Sequence, residues 1–149
     1  MDEIDRKLIG ALAEDARQPL SALGAAVGLS QSAVNERIRR LTERGAIRRV
    51  MADSDPAALG LPVLAFVWLA LAEGASEAGF RAFAAADPAI TACHHVTGPW
   101  SYLVQVRLPS LAGVEPFLAA LKSGGWLGRS ETILALTEVV APPFRYRGE

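Results

Sequence analysis

The stretch LSQSAVNERIRRLTERGAI, residues 29–47, decides how the first third of this chain folds. Ser30 has the character of a helix N-cap, because its hydroxyl accepts from an otherwise unpaired N–H of the first turn. Val34, Ile38 and Leu41 recur at helical spacing and so share one face. Gly45 follows the last apolar turn, where a helix C-terminal stop stands. Arg37, Arg39, Arg40 and Arg44 occupy the remaining surface, and Arg48 and Arg49 lie just beyond it. A short, cationic, amphipathic helix of this kind is what lies in the major groove of DNA.

The residues upstream extend the pattern. A shorter helix is predicted over 20–27, with Leu20, Leu23 and Val27 on one face, and Gly28-Leu29 then makes a tight turn before Ser30. Helix, Gly-containing turn and helix together form a helix-turn-helix. Ile4, Leu8, Ile9 and Leu12 mark a first helix over 2–13, and the three close a core on Leu8, Leu12, Leu23, Val27, Val34, Ile38 and Leu41. Residues 46–51 are read as a short strand, a small wing.

Charge distribution separates a DNA surface from an ordinary solvated helix face. Residues 1–50 carry nine Lys or Arg against seven Asp or Glu, a net of +2, whereas 51–149 carry six against nine, a net of −3. Across 31–49 six basic residues face two acidic ones, Glu36 and Glu43. The basic excess is local to the candidate recognition helix, the footprint of phosphate binding. Helix geometry sets Ser32, Glu36 and Arg39 opposite the apolar stripe, with Asn35 and Arg40 on its flanks. Base edges are assigned to Gln31, Ser32, Asn35 and Glu36, since Asn and Gln pair with adenine and Glu accepts from cytosine. Arg39, Arg40, Arg48 and Arg49 are assigned to phosphates. Arg37 and Arg44 are expected to pair within the domain, with Glu14 or Asp15.

Half of the 149 residues are apolar, at 51%, which supports a substantial core and excludes global disorder. A lone cysteine, Cys93, excludes an intramolecular disulfide and a multi-cysteine zinc site. The chain opens on acidic residues, and its longest apolar stretch, 59–72, is shorter than the roughly twenty residues needed to span a bilayer. The expectation is a cytoplasmic protein with no membrane partner. Pro56, Gly60 and Pro62 mark residues 53–62 as a linker between a helix-turn-helix domain, 1–52, and a second domain, 63–149.

In the second domain, 62–72 is continuously apolar, as in a strand covered on both faces or lying in a dimer interface. A helix is expected over 76–86, capped by Ser76, then a strand over 90–97, a turn at Gly98-Pro99 and a strand over 101–108 that turns Tyr102, Val104 and Val106 to one side. A second helix over 110–122, with Val114, Phe117, Leu118 and Leu121 inward, and a last strand over 130–140 complete the order β-α-β-β-α-β. That order is ferredoxin-like. The fold class is therefore α+β: a winged helix-turn-helix domain, then a ferredoxin-like βαββαβ domain. One face of such a sheet needs a cover, and a second copy is the simplest.

Together these motifs resemble the leucine-responsive/asparagine-synthetase-activator (Lrp/AsnC) family of transcriptional regulators, along nearly the whole chain. The opening from Met1 to Ile9 is similar to the family's start, and Leu12, Asp15 and Arg17 fall where the family repeats them. Gly28-Leu29-Ser30, Arg37-Ile38, Arg40-Leu41 and Gly45-Ala46-Ile47 match its DNA-binding signature, and the loop from Val96 to Leu103 aligns with its Gly-Asp-aromatic-Asp-Tyr turn. The resemblance implies double-stranded DNA as partner, a homodimer that builds tetramers or octamers, and a small effector, often an amino acid. Effector residues carried over are Thr97, Gly98, Pro99, Trp100, Ser101 and Thr132. Both aspartates of the turn are replaced, by Pro99 and Ser101. A buried ammonium group needs a compensating acceptor, and a neutral hydroxyl compensates poorly. The turn is thus expected to favour a larger apolar or aromatic ligand over a simple zwitterion. Trp100 suits either a ligand contact or a packed aromatic at an assembly interface.

The rival reading is an enzyme resembling the sirohaem decarboxylases, which share the architecture. His94 and His95 lie beside Cys93, but neighbouring strand residues point to opposite faces and do not act together. No nucleophile motif, metal cluster or phosphate-cradling loop is evident, so neither catalysis nor a cofactor is expected. A third reading, an interaction module that has lost DNA binding, conflicts with the retained arginines. Cys93 is read as a structural thiol rather than a redox sensor.

Overall fold

The structure, a computed structural model, describes residues 1–140. It divides into two compact units, one built on Met1–Asp53 and the other on Ser54–Val139. The end of the expected second domain, 141–149, lies outside the described residues.

In the first unit α1 spans Glu3–Glu14, α2 Leu20–Val27 and α3 Gln31–Glu43. Asp2 and Asp5 close α1 reciprocally: the Asp2 carboxylate accepts from the Asp5 N–H at 2.8 Å, and the Asp5 carboxylate from the Asp2 N–H at 3.1 Å. Ser30 caps α3 as expected, its hydroxyl accepting from the Ala33 N–H at 3.3 Å. Leu8, Leu23 and Val34 are fully buried, one from each helix, and Ile4, Leu12, Leu20, Val27 and Ile38 pack around them. Burying a side chain of this size contributes about 1.5–3 kcal/mol relative to leaving it in water, so this triad holds the helices together.

The turn between α2 and α3 depends on two glycines. Gly28 is left-handed, at φ 71°, and its N–H returns to the Gly24 carbonyl. The Leu29 N–H joins it on the same oxygen at 3.0 Å. A Cβ built on Gly24 would lie 2.5 Å from the Leu29 carbonyl oxygen, closer than any side chain tolerates. At the far end of α3, Gly45 is left-handed, its N–H bonds to the Thr42 carbonyl, and the Ala46 N–H reaches the Leu41 carbonyl at 2.9 Å.

That ending corrects the expected wing. Residues 46–51 form no strand. The N–H groups of Ala46 and Ile47 are both spent on the Leu41 carbonyl, and among the described residues this unit holds no second strand to pair with the rest. Val50 and Met51 stay exposed. Among the described residues the first unit is a three-helix helix-turn-helix, with no wing.

In the second unit the segment before the sheet closes a turn, the Leu61 N–H bonding to the Pro56 carbonyl at 2.8 Å. There follow β1 Val63–Leu71, α4 Glu77–Ala86, β2 Ile90–His95, β3 Tyr102–Leu108, α5 Val114–Ser123 and β4 Leu127–Leu134. The antiparallel sheet has the order β2-β3-β1-β4, which is the ferredoxin-like arrangement. Ala65, Val67 and Leu69 from β1 and Tyr102, Val104 and Val106 from β3 meet Phe80 of α4 and Phe117 and Leu121 of α5 in one core. Directly opposed residues point to the same side. The other face therefore carries Phe66 and Trp68 of β1, Leu103 and Gln105 of β3, and Glu131 and Ile133 of β4.

Three boundaries differ from expectation. The helix expected over 110–122 begins as a short 3₁₀ turn, Leu111–Gly113, before α5. The strand expected over 90–97 ends at His95, where the Val96 N–H turns to the Ser101 carbonyl. The strand expected over 130–140 is displaced to Leu127–Leu134. β1 fixes its limits: Leu71 pairs with Leu127 and Ala65 with Leu134, and past Ala135 the partner strand has run out. Leu136 and Val139 are consequently exposed. No helix among the described residues is long and apolar enough to cross a membrane.

Replacing Gly24 by Ala forces a methyl group into the Leu29 carbonyl and is expected to cost about 1–3 kcal/mol. A urea denaturation series followed by far-UV circular dichroism checks this, and an unchanged midpoint would contradict the tight turn.

Candidate nucleic-acid interface and turn site

On α3 the buried stripe of Val34 and Leu41 leaves Gln31, Ser32, Asn35, Arg39 and Arg40 exposed, with Arg48 and Arg49 exposed beyond it. Gln31, Ser32 and Asn35 occupy the first turns of the helix, where a recognition helix meets base edges. Glu36 is differently placed from a free base reader. Its Oε1 accepts from Arg39 Nη2 at 2.8 Å and from Arg40 Nε at 2.8 Å, and its Oε2 accepts from Arg39 Nε at 2.9 Å. Arg39 Nη1 donates to Glu43. Hydrogen bonds from Arg39 and then Arg40 hold the Glu36 carboxyl down at about 2, and Glu36 raises Arg39 in return.

Arg37 pairs within the unit, as expected, but with Asp2 and Asp5, both at 2.7 Å, rather than with Glu14 or Asp15. Its side chain reaches the start of α1, not the end. The bonds from the Asp5 backbone and from Arg37 hold Asp2 below the usual carboxylate range. Burial opposes the same effect at Asp5, where Arg37 and the Asp2 N–H outweigh it. Arg37 thereby joins α3 to the α1 cap.

In the second unit the turn from Val96 to Ser101 is tied to the end of β1. The Ser101 N–H donates to the Leu69 carbonyl at 2.7 Å, and the Ser101 hydroxyl accepts from the Leu71 N–H at 3.1 Å. These bonds lie on the edge of β1 that faces β3, whereas the register shift between Ala70 and Leu71 is on the edge that faces β4. Thr97, Gly98 and Pro99 are exposed at the tip, and Gly98 takes φ 98°. Trp100 is half-buried, with its ring centroid 6.5 Å from that of Trp68. The Arg129 guanidinium lies 4.3 Å over the Trp100 ring, and its Nη2 donates to the Pro99 carbonyl at 3.3 Å.

Thr132 does not join this group. It opposes Val67 and so points to the helix-covered side, whereas Trp68 opposes Glu131 on the other face. Trp68 and Arg129, not named from the sequence, are the residues beside Trp100. Arg129 fell outside the strand expected over 130–140, and a register anchored on β1 would have found it.

The helix-covered side holds a separate polar cluster. The buried Tyr102 hydroxyl donates to Glu77 at 2.6 Å and accepts from Arg81 Nε at 2.7 Å, and Arg81 pairs with Glu77 at 2.7 Å. The Tyr102 and Arg81 hydrogen bonds hold Glu77 low, and burial pushes Tyr102 up. His95 stacks on Tyr102 with centroids 5.0 Å apart, while His94 opposes Leu103 on the other face, so the two imidazoles are separated by the sheet. Burial raises the Cys93 thiol, which opposes Val104. Among the described residues no three His, Cys, Asp or Glu side chains are grouped to hold a metal ion.

Two family models match the sequence: an AsnC-type helix-turn-helix domain over residues 1–42 and an Lrp/AsnC ligand binding domain over residues 64–143. The HTH-type transcriptional regulator FL11 of Pyrococcus horikoshii is 33% identical over 137 residues, covering 91% of this chain and 89% of its own. The HTH-type transcriptional regulator LrpA of Mycobacterium tuberculosis is 33% identical, covering 92% and 91%. Among solved structures, the transcriptional regulator NMB0573/L-Met complex from Neisseria meningitidis superposes with a TM-score of 0.87 at 25% identity, covering 95% of this chain and 93% of that one. Bacillus subtilis LrpC superposes with a TM-score of 0.86 at 27% identity, covering 95% and 99%. These relatives are regulators, which favours that reading over the decarboxylase-like one.

Replacing Ser101 by Ala leaves the Leu71 N–H without its acceptor and is expected to cost about 1–3 kcal/mol. Urea denaturation followed by tryptophan emission measures it; an unaltered midpoint would show that the hydroxyl does not tie the turn to β1.

Proposed function

This chain belongs to the Lrp/AsnC family and is a helix-turn-helix DNA-binding transcriptional regulator, and from that premise we propose how its surfaces divide the work. The first turns of α3, through Gln31, Ser32 and Asn35, contact base edges. Arg39, Arg40, Arg48 and Arg49 engage phosphates, and Glu36 acts on the arginines beside it rather than on cytosine. The observation that carries this assignment is the exposure of that whole face while Val34 and Leu41 stay buried behind it. Residues 53–62 act as the linker between the two domains, 1–52 and 63–149. The protein works beside DNA in the cytoplasm, without a catalytic role.

The second domain is the effector-responsive and assembly part. Phe66, Trp68, Leu103 and Ile133 line the sheet face away from the helices and are only partly covered. A second copy would bury them in a self-complementary interface. The effector contacts are Thr97, Gly98, Pro99 and Trp100, joined by Trp68 and Arg129. Ser101 is omitted because its hydroxyl already serves Leu71, and Thr132 because it faces the other way. Two neighbouring indoles, one of them under a guanidinium, suit a flat apolar ligand that carries an anionic group. The Neisseria relative was crystallised with L-Met. A side chain of that size or larger fits this turn better than a short aliphatic one does.

Sedimentation of the protein with a labelled duplex from its own upstream region, across a salt series, tests the DNA assignment. The expected complex holds an even number of protomers, and log affinity falls by about 0.9 per phosphate contact per log unit of salt. The pair Arg39→Glu and Arg40→Glu should abolish it; a flat salt response with an unchanged complex in the variant sinks the assignment. Isothermal titration against the twenty amino acids tests the effector site: binding is expected for aromatic or long apolar side chains only. Tight stoichiometric binding of alanine or valine would contradict it.

A further inference from the structure

The exposed face of α3 is less cationic than its arginine count suggests. Glu36, Arg39, Arg40 and Glu43 lie three and four residues apart and form one connected ion-pair cluster. Two arginines and two glutamates sum to zero charge. The manner of pairing matters more than the sum. Arg39 presents Nε and Nη2 side by side to the two oxygens of Glu36, at 2.9 and 2.8 Å. That edge is the fork with which a guanidinium grips a phosphate in bidentate fashion. Its remaining nitrogen, Nη1, is turned to Glu43. Arg40 commits Nε to Glu36 and keeps its two terminal nitrogens. A carboxylate thus occupies the seat that a DNA phosphate would take on Arg39.

We propose that Glu36 is a specificity-determining residue: it holds Arg39, and in part Arg40, as an internal phosphate substitute, so that random duplex is gripped weakly. This inference rests on the assignment of α3 as the DNA-contacting helix. For a phosphate to engage Arg39 it must displace Glu36, which then stands as an uncompensated anion beside the DNA backbone. On random sequence nothing offsets that loss. On a matching site the base contacts from Gln31, Ser32 and Asn35 offset it, and the exchange of partners goes forward. Non-specific affinity falls more than specific affinity, and the ratio between them, which decides occupancy in a genome, rises. Arg39 and Arg40 hold the Glu36 carboxyl at about 2, so the substitute stays charged at neutral pH.

Four proteins measured on random-sequence duplex over a salt series decide the matter: the wild type, Glu36→Gln, Arg39→Gln/Arg40→Gln, and Arg39→Gln/Arg40→Gln combined with Glu36→Gln. Gln is nearly as good a helix former as Glu, and thermal melts by circular dichroism confirm that each variant is folded. Glu36→Gln is expected to raise random-duplex affinity about five- to tenfold and to steepen the salt slope by about 0.9 for each phosphate newly engaged. In the Arg39→Gln/Arg40→Gln background, Glu36→Gln is expected to lose most of its effect, because no fork remains to be freed. If Glu36→Gln leaves affinity unchanged while Arg39→Gln/Arg40→Gln weakens it, the inference is overturned and the DNA assignment of α3 stands. If the gain persists undiminished without the two arginines, Glu36 acts by direct repulsion and the inference is likewise overturned. If Arg39→Gln/Arg40→Gln changes nothing even in the Glu36→Gln background, where the arginines are free, the assignment of α3 itself fails.

Discussion

The carbonyl oxygen of Gly24 takes hydrogen bonds from both Gly28 and Leu29, and most of the first unit's geometry follows from that shared acceptor. It ends α2, folds the chain back and leaves Ser30 free to start α3 one residue later. A side chain at position 24 would push the turn away from the helix. The direction of α3, and with it the outward aim of Gln31, Ser32 and Asn35, is set by backbone bonds and not by the arginines. The buried contact of Leu8, Leu23 and Val34 then fixes the distance. Arg37, bonded to Asp2 and Asp5, adds a polar strut to the same interface.

In the second unit β1 has the corresponding position. It is paired along both edges, with β3 on one side and β4 on the other, and its inner residues Ala65, Val67 and Leu69 lie at the centre of the core. Its last residues also hold the turn, since Leu69 accepts from the Ser101 N–H and Leu71 donates to the Ser101 hydroxyl. A change at the turn is therefore mechanically continuous with the central strand. Tyr102, the next residue along, sits under α4 through Glu77 and Arg81. One short segment thus touches the sheet on its way in and a helix on its way out.

The elements were legible where the pattern was local. Ser30, Gly45 and the spacing of Val34, Ile38 and Leu41 mark α3, and the alternation at Tyr102, Val104 and Val106 marks β3 and its inward face. What was not legible depended on partners distant in sequence. Residues 46–51 read as a strand, yet a strand exists only with something to pair with. The run 130–140 read as the last strand, but β1 ends first and its register starts β4 three residues earlier. The same register decides the side on which Thr132 stands and brings Arg129 over Trp100. Counting arginines gave the sign of the α3 surface. How Glu36 and Glu43 are threaded between them depends on side-chain directions that a count does not carry.

Of the chain's three tryptophans, Trp100 lies under the Arg129 guanidinium with Trp68 as its aromatic neighbour, while Trp126 packs against Phe83 with ring centroids 4.8 Å apart. A cation held against an indole perturbs its excited state, and so does any molecule that displaces the cation. The chain therefore carries its own optical reporter at the turn, together with an internal reference that such an event leaves alone.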